Sequence, residues 1–196
     1  MSSAPEPPVG PRRPARARLL EAAARLFYAD GITATGIDTI TAEAGVAKQS
    51  LYNNFSSKQD LTRAYLGARH DEWLGLYRAR LAHARTPGER VLAVFDAYLD
   101  HARAAYHRGF RGCGLLNAAA ELPVGNPARD EVRRHKEEVE SILAQHLHAA
   151  GAPDPAGTAE HLSFLLEGAM SRAGLEGGPE RLLRARGIAT SLLGAR

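Results

Sequence analysis

The chain has 196 residues, 44% hydrophobic and 24% charged, enough to bury a core in one domain or two small ones. Twenty-five Lys and Arg against 22 Asp and Glu leave a formal charge of +3, a balance that permits nucleic acid as a partner without demanding it. A single cysteine, Cys113, excludes an intramolecular disulfide and a multi-cysteine zinc site. No apolar run approaches the roughly 20 residues that cross a bilayer, and the Pro-rich N-terminus lacks the apolar segment of a signal peptide. A soluble, cytoplasmic protein with no membrane partner is expected.

Residues 1–13, MSSAPEPPVGPRR, carry no apolar period and read as a disordered arm. Arg12, Arg13, Arg16 and Arg18 cluster where the arm meets the first helix. They read either as a solvated tail or as minor-groove and phosphate ligands. From there the chain is helical in character, rich in Ala, Leu, Glu and Arg and free of sustained alternation. A first helix over 15–29 turns Leu19, Leu20, Ala23, Leu26 and Phe27 inward and stops at Asp30-Gly31. Thr35-Gly36-Ile37-Asp38 matches a capping box and opens a second helix with Ile37, Ile40 and Ala44 on one face. That helix ends at Gly45, and a third runs from Ala47 to Asn53.

Ser57-Lys58-Gln59-Asp60 is a second capping box, opening a long helix to about Arg80. Further helices are expected from Pro87 to about Tyr106, with Val91, Val94, Phe95 and Tyr98 as its core face, and from Gly112 to Glu121. Three more follow, over about 128–150, over 155–175, and beyond the Gly177-Gly178-Pro179 break. The fold class is all-α. The chain divides into the arm (1–13), an N-terminal domain (14–60) and a larger helical domain (61–196).

Two short helices joined at Gly45 make a helix-turn-helix. Packing Ile37, Ile40, Val46 and Leu51 together leaves Lys48, Gln49, Ser50, Tyr52 and Asn53 on an outer face. There a lysine suits phosphate, and the amides and hydroxyl suit base edges in a major groove about 12 Å wide. The alternative turns Tyr52 into the core and Leu51 to solvent. Lys58, at a helix start where a cation opposes the dipole, suits a nearby phosphate; otherwise it is a solvated lysine.

The string GITATGIDTITAEAGVAKQSLYNNFSSKQDL resembles the DNA-binding signature of the tetracycline-repressor (TetR) family of transcriptional regulators. The likeness covers about residues 16–62. Its most specific parts are Ile40, Ala44-Gly45-Val46, Leu51-Tyr52, Phe55 and Lys58. The resemblance implies an N-terminal three-helix helix-turn-helix domain followed by a larger helical ligand-binding and dimerisation domain. It also implies that Thr35, Lys48, Ser50, Tyr52 and Lys58 contact DNA, with Gln49 and Asn53 beside them. Ala47 departs from the usual Ser or Thr cap, and Thr41 from the usual Ala.

Residues 1–60 hold seven basic and six acidic groups, so tight binding needs two copies on a palindromic double-stranded operator. The resemblance implies an inducer cavity in the second domain. Its candidate lining, on expected inward faces, is Trp73, Tyr77, Phe95, Tyr98, Asn117, Glu121, His135 and Phe164. The small organic inducer is of no identified kind. Each of these residues can equally be ordinary core or surface. The corresponding family helices form a homodimer interface, here Leu162, Leu165, Leu166, Ala169, Leu182, Leu183 and Leu192; the alternative is that they cap the monomer.

Cys113 reads as a small buried hydrophobe, a redox sensor or a nucleophile. His101/His107 and His146/His148 lack the spacing of a zinc site, so no metal and no cofactor are expected. The expected function is a ligand-responsive repressor and not an enzyme. Its alternatives are an activator, a ligand-independent DNA-binding protein with a filled core, or an enzyme pairing Cys113 with His101 or His135.

Overall fold

The computed structural model describes residues 14–104 and 108–194. The arm over 1–13, with Arg12 and Arg13, lies outside the described residues, as do Tyr106 and His107. Among the described residues the chain forms nine α-helices and no strand. They are α1 (Ala15–Asp30), α2 (Ile37–Ala44), α3 (Lys48–Asn54), α4 (Lys58–Leu81), α5 (Pro87–Arg103), α6 (Gly114–Glu121), α7 (Pro127–Ala149), α8 (Pro155–Glu176) and α9 (Glu180–Gly194). None is long and apolar enough to cross a membrane.

In the N-terminal domain α1 packs on α2, α3 and α4. Leu19, Ala22, Ala23 and Phe27 meet Ile40, Ala44, Leu51, Phe55 and Leu61 in a buried core. Gly45 closes α2 with φ 61° and ψ 42°, a left-handed conformation in which a Cβ is disfavoured. Its N–H and that of Val46 return to carbonyls of α2, which fixes the turn.

The Thr35 capping box does not form. Gly36 is the N-cap of α2 and makes no side-chain cap bond. Thr35 is instead buried, and its hydroxyl donates to Gly31 O at 2.6 Å. The hydroxyl serves the end of α1, so its side chain has no free face for DNA. The Ser57 cap does form, accepting from Asp60 N at 3.1 Å, while the Asp60 carboxylate accepts from Ser56 N at 2.9 Å. Ala47 is the N-cap of α3 and provides no side-chain oxygen. Ala47→Ser is expected to raise stability by about 1 kcal/mol, read as a higher urea midpoint with an unchanged slope.

The larger domain packs α4 against α5 and α7, α7 against α8, and α8 against α9. α7 buries Val132, His135, Val139, Leu143 and Leu147 at three- and four-residue spacing, one face of the helix. Thr86 and Glu89 form a reciprocal capping box at the start of α5. α6 begins where the loop before it touches α8. A Cβ on Gly174 would sit 2.6 Å from Gly112 N, so glycine alone permits this contact.

Candidate nucleic-acid interface and the cavity behind it

α3 resolves the choice between its two central residues. Leu51 is 0% exposed and Tyr52 47% exposed, so the hydrophobic one is inside. Lys48, Gln49 and Asn53 are exposed beside Tyr52, and Ser50 is half-buried. Gln49 Nε2 donates to Asn53 Oδ1 at 3.1 Å, and Asn54 Nδ2 donates to Ser50 O at 2.7 Å. The amides are thereby pre-arranged along the outer face. Lys48 Nζ lies 2.9 Å from Asp38 Oδ1, across the helix pair. The hydrogen bond to that carboxylate, and then its charge, hold the Lys48 ammonium above its ordinary range.

Lys58 stands at the first position of α4, half-buried, with Nζ 3.5 Å from Thr33 O. Of the arginines near the arm, Arg18 donates to Gly45 O at 3.2 Å and Arg16 lies 5.0 Å over the Phe55 ring. Both brace the helix-turn-helix, Arg18 at its turn and Arg16 at the end of α3.

The second domain holds a small cavity of about 20 Å³, room for about one water. Arg69, Trp73, Tyr98, His101, Cys113, Gly114, Leu115, His135 and Met170 line it. Trp73, Tyr98 and His135 come together there. Tyr77 is buried one layer back, stacked on Trp73 at 5.5 Å and 4°, with its hydroxyl 2.6 Å from His146 Nε2. Phe95 belongs to the core away from the cavity.

Besides Tyr77 and Phe95, three more expected lining residues lie elsewhere. Phe164 is 64% exposed, because α8 turns that face outward. Asn117 Nδ2 donates to Arg111 O at 2.9 Å, bracing the turn before α6. Glu121 reaches the other domain, its carboxylate accepting from Ile32 N at 3.0 Å and Thr33 N at 2.8 Å.

Cavity residues absent from the expected lining include Arg69 and Met170. Arg69 sits one helical turn before Trp73 on α4, a spacing that was available as a signal. His101 and His135 are held neutral at pH 7. Burial pushes His101 down to about 4 and His135 to about 3, and nearby cationic charge, Lys136 included, adds to both. Lys136 stays charged: burial opposes its charge, but Tyr98, Cys113 and Glu167 push the other way, Glu167 Oε1 lying 2.7 Å from its ammonium. Lys136 Nζ also lies 3.6 Å from Cys113 Sγ. Cys113 itself is buried, as the hydrophobe reading expects.

The cavity and the first domain meet through the segment that leads into α6. Arg111 Nη1 donates to the carbonyls of Tyr28, at 2.9 Å, and Ala29, at the end of α1. Tyr28 Oη accepts from Arg111 N at 2.7 Å and donates to Gly112 O at 3.2 Å. With Glu121, these contacts tie Cys113 and Leu115, which line the cavity, to the loop before α2. Reading this clasp from the sequence was not possible, because its partners lie more than 80 residues apart.

The dimer residues divide. Leu162, Leu166 and Leu182 are fully buried within the monomer, so they are core and not an outer face. Leu165 and Ala169 are half-buried. Leu183 and Leu192 are exposed at 44% and 46%, and Ile188 on α9 and Phe164 on α8 are exposed as well.

A glycine-turned pair of short helices with a polar outer face, carried on a helical body, defines a helix-turn-helix regulator. Residues 19–65 match the family of bacterial regulatory proteins described as the tetR family. Residues 87–189 match the tetracyclin repressor-like C-terminal domain. The chain belongs to the TetR family, whose regulators bind operator DNA and form dimers.

A TetR-family transcriptional regulator from Streptomyces coelicolor is 35% identical, with a TM-score of 0.82 over 91% of this chain and 93% of that one. A TetR transcriptional regulator from Chloroflexus aurantiacus is 25% identical, with a TM-score of 0.80 over 92% of this chain and 94% of that one. The activator FasR of Mycolicibacterium smegmatis is 37% identical over 46% of this chain and 41% of its own length. The repressor KstR2 of the same species is 35% identical over 47% of this chain and 46% of its own length. The chain thus spans less than half the length of these two curated relatives.

Proposed function

We propose that the protein is a homodimeric, sequence-specific DNA-binding repressor released from a palindromic operator by a small organic inducer. The observation that carries this reading is the orientation of α3. With Leu51 buried, Lys48, Gln49, Tyr52 and Asn53 form one exposed face, with half-buried Ser50 at its edge. That face offers a charge for phosphate and amides for base edges. In the DNA complex a phosphate takes the Lys48 ammonium from Asp38. Lys58 supplies a second phosphate contact from the start of α4.

The inducer acts by population shift, favouring a dimer whose recognition helices no longer match successive major grooves about 34–36 Å apart. Two routes lead from the cavity to DNA. One is α4, whose first residue is Lys58 and whose middle carries Arg69 and Trp73. The other is the Glu121 and Arg111 clasp. A hundredfold change in affinity needs only about 2.7 kcal/mol of coupling.

Selection of bound fragments from the organism's genomic DNA, followed by a screen of metabolites for release, tests the reading. Absence of any protected palindrome in footprinting at low salt overturns it. The ligand-independent alternative draws on the small cavity, and a protein that binds an operator and is released by no metabolite would favour it.

Two substitutions probe the parts. Lys58→Ala will weaken binding to all sequences and lower the slope of log affinity against log salt by about one unit per half-site. For the dimer, the exposed set of Phe164, Leu183, Ile188 and Leu192 supplies the interface. Ile188→Asp will then shift the mass measured by light scattering from dimer to monomer, because it places an unpaired charge in the buried centre of a symmetric contact.

A further inference from the structure

Two donors that belong to residues lining the cavity are buried without an acceptor. Trp73 is 4% exposed, and its Nε1 is buried without a hydrogen-bond partner; Arg69 Nε is likewise buried and unpartnered. Both residues line the same space. An indole N–H can only donate, and a guanidinium likewise, so whatever satisfies them must bring an acceptor.

The charges around the cavity are already matched. Arg69 pairs with Glu72 at 2.6 Å and Lys136 with Glu167 at 2.7 Å, while His101 and His135 are neutral. A charged ligand would lose its hydration and meet no uncommitted opposite charge. The walls are aromatic. The Trp73 and Tyr98 rings lie 5.5 Å apart, and the His135 ring stands edge-on to Trp73 at 5.4 Å. The His135 nitrogens face His70, at 3.0 Å, and Tyr98, at 3.5 Å, so they leave little to receive a ligand hydroxyl proton.

We propose that the cavity takes an uncharged, flat, conjugated carbonyl compound whose oxygen accepts from Trp73 Nε1. This deepens, and rests on, the inducer reading. The occupant must enlarge a space of about 20 Å³. Met170 is the yielding wall, since an unbranched thioether repacks readily. The start of α6, at Cys113 to Leu115, is the wall whose displacement reaches the clasp.

The test compares 1-indanone with indane, which lacks only the oxygen, and with benzoate, an aromatic anion. Affinities are measured by calorimetry on the full chain. Trp73 is the single tryptophan, so its fluorescence reports occupancy of this site. The expected result is that 1-indanone binds about tenfold more tightly than either other compound and quenches Trp73. In Trp73→Phe the preference for 1-indanone over indane falls to about one.

Equal affinity for indane, tighter binding of benzoate, no binding of any of the three, or a preference that survives Trp73→Phe overturns the proposal. Should that variant not fold, the wild-type ranking and the quenching decide alone. A protein that selects operator DNA but fails this ranking loses only the present inference. Failure in the DNA selection itself overturns the functional reading.

Discussion

Glu121→Ala will release the loop between α1 and α2 and raise hydrogen exchange at the amides of Ile32 and Thr33. Both amides donate to this one carboxylate, at 3.0 and 2.8 Å, across the boundary between the domains. The Ile32 side is partly buried, so losing the acceptor leaves a donor poorly hydrated, a cost of about 1–3 kcal/mol. The Thr33 side is exposed and water replaces the carboxylate there. Urea unfolding will show the lower midpoint. Operator release by inducer will weaken as well, since the variant severs one of the two routes from the cavity. A variant with unchanged exchange at both amides would remove the clasp from the mechanism.

The carboxylate also gives this contact a pH signature. Burial pushes the Glu121 carboxyl up, but the amides of Thr33 and Ile32 outweigh it and hold the group below its ordinary range. A depressed folded-state value means that the stabilisation is complete above the unfolded value, about 4.3. It is lost as pH falls through the folded one. The stability gap between the wild type and Glu121→Gln will therefore be widest near neutrality and will close in acid. A gap that does not narrow in acid would mean that the charge of Glu121 contributes nothing.

The second large effect separates two neighbours on α3. Leu51→Ala will destabilise the N-terminal domain by about 2–5 kcal/mol, because Leu51 is wholly buried between α1 and the helix pair. Tyr52→Ala will change stability by no more than about 0.5 kcal/mol, yet will weaken operator binding about tenfold or more. Denaturation and DNA titration of the two variants form a cross. Loss of stability in Tyr52→Ala with none in Leu51→Ala would mean the helix is turned the other way.

The helix-turn-helix was legible because local chemistry marks it. Gly45 stops α2, apolar residues at helical spacing define the inner face, and polar ones fall opposite. The capping of α2 is not legible in the same way. Thr35 has the chemistry of a cap, but its hydroxyl has a better-placed acceptor in Gly31 O once α1 and α2 pack. Sequence alone offers no way to rank two acceptors whose geometry depends on packing.

The cavity was half legible. Trp73, Tyr98 and His135 announce themselves as large side chains on inward faces, whereas Arg69 joins them as a charged residue that sequence reads as surface. Phe164 has the chemistry of an inward residue, an aromatic on an amphipathic helix, yet is exposed. α8 instead leaves an exposed apolar residue on its outer face, where a second copy can cover it.

By itself the sequence determined the all-helical class, most helix stops, the family and the two-domain order. These follow from the 3.6-residue period, from glycine and proline, and from a compact local motif. Tertiary structure alone decided which leucines are core and which are exposed, and that Glu121 leaves the cavity for the N-terminal domain. It also decided that Lys136 lies beside Cys113. The physical reason is that burial and long-range partners depend on how helices cross. Crossing is set by the summed packing of many side chains, which no single stretch of sequence encodes.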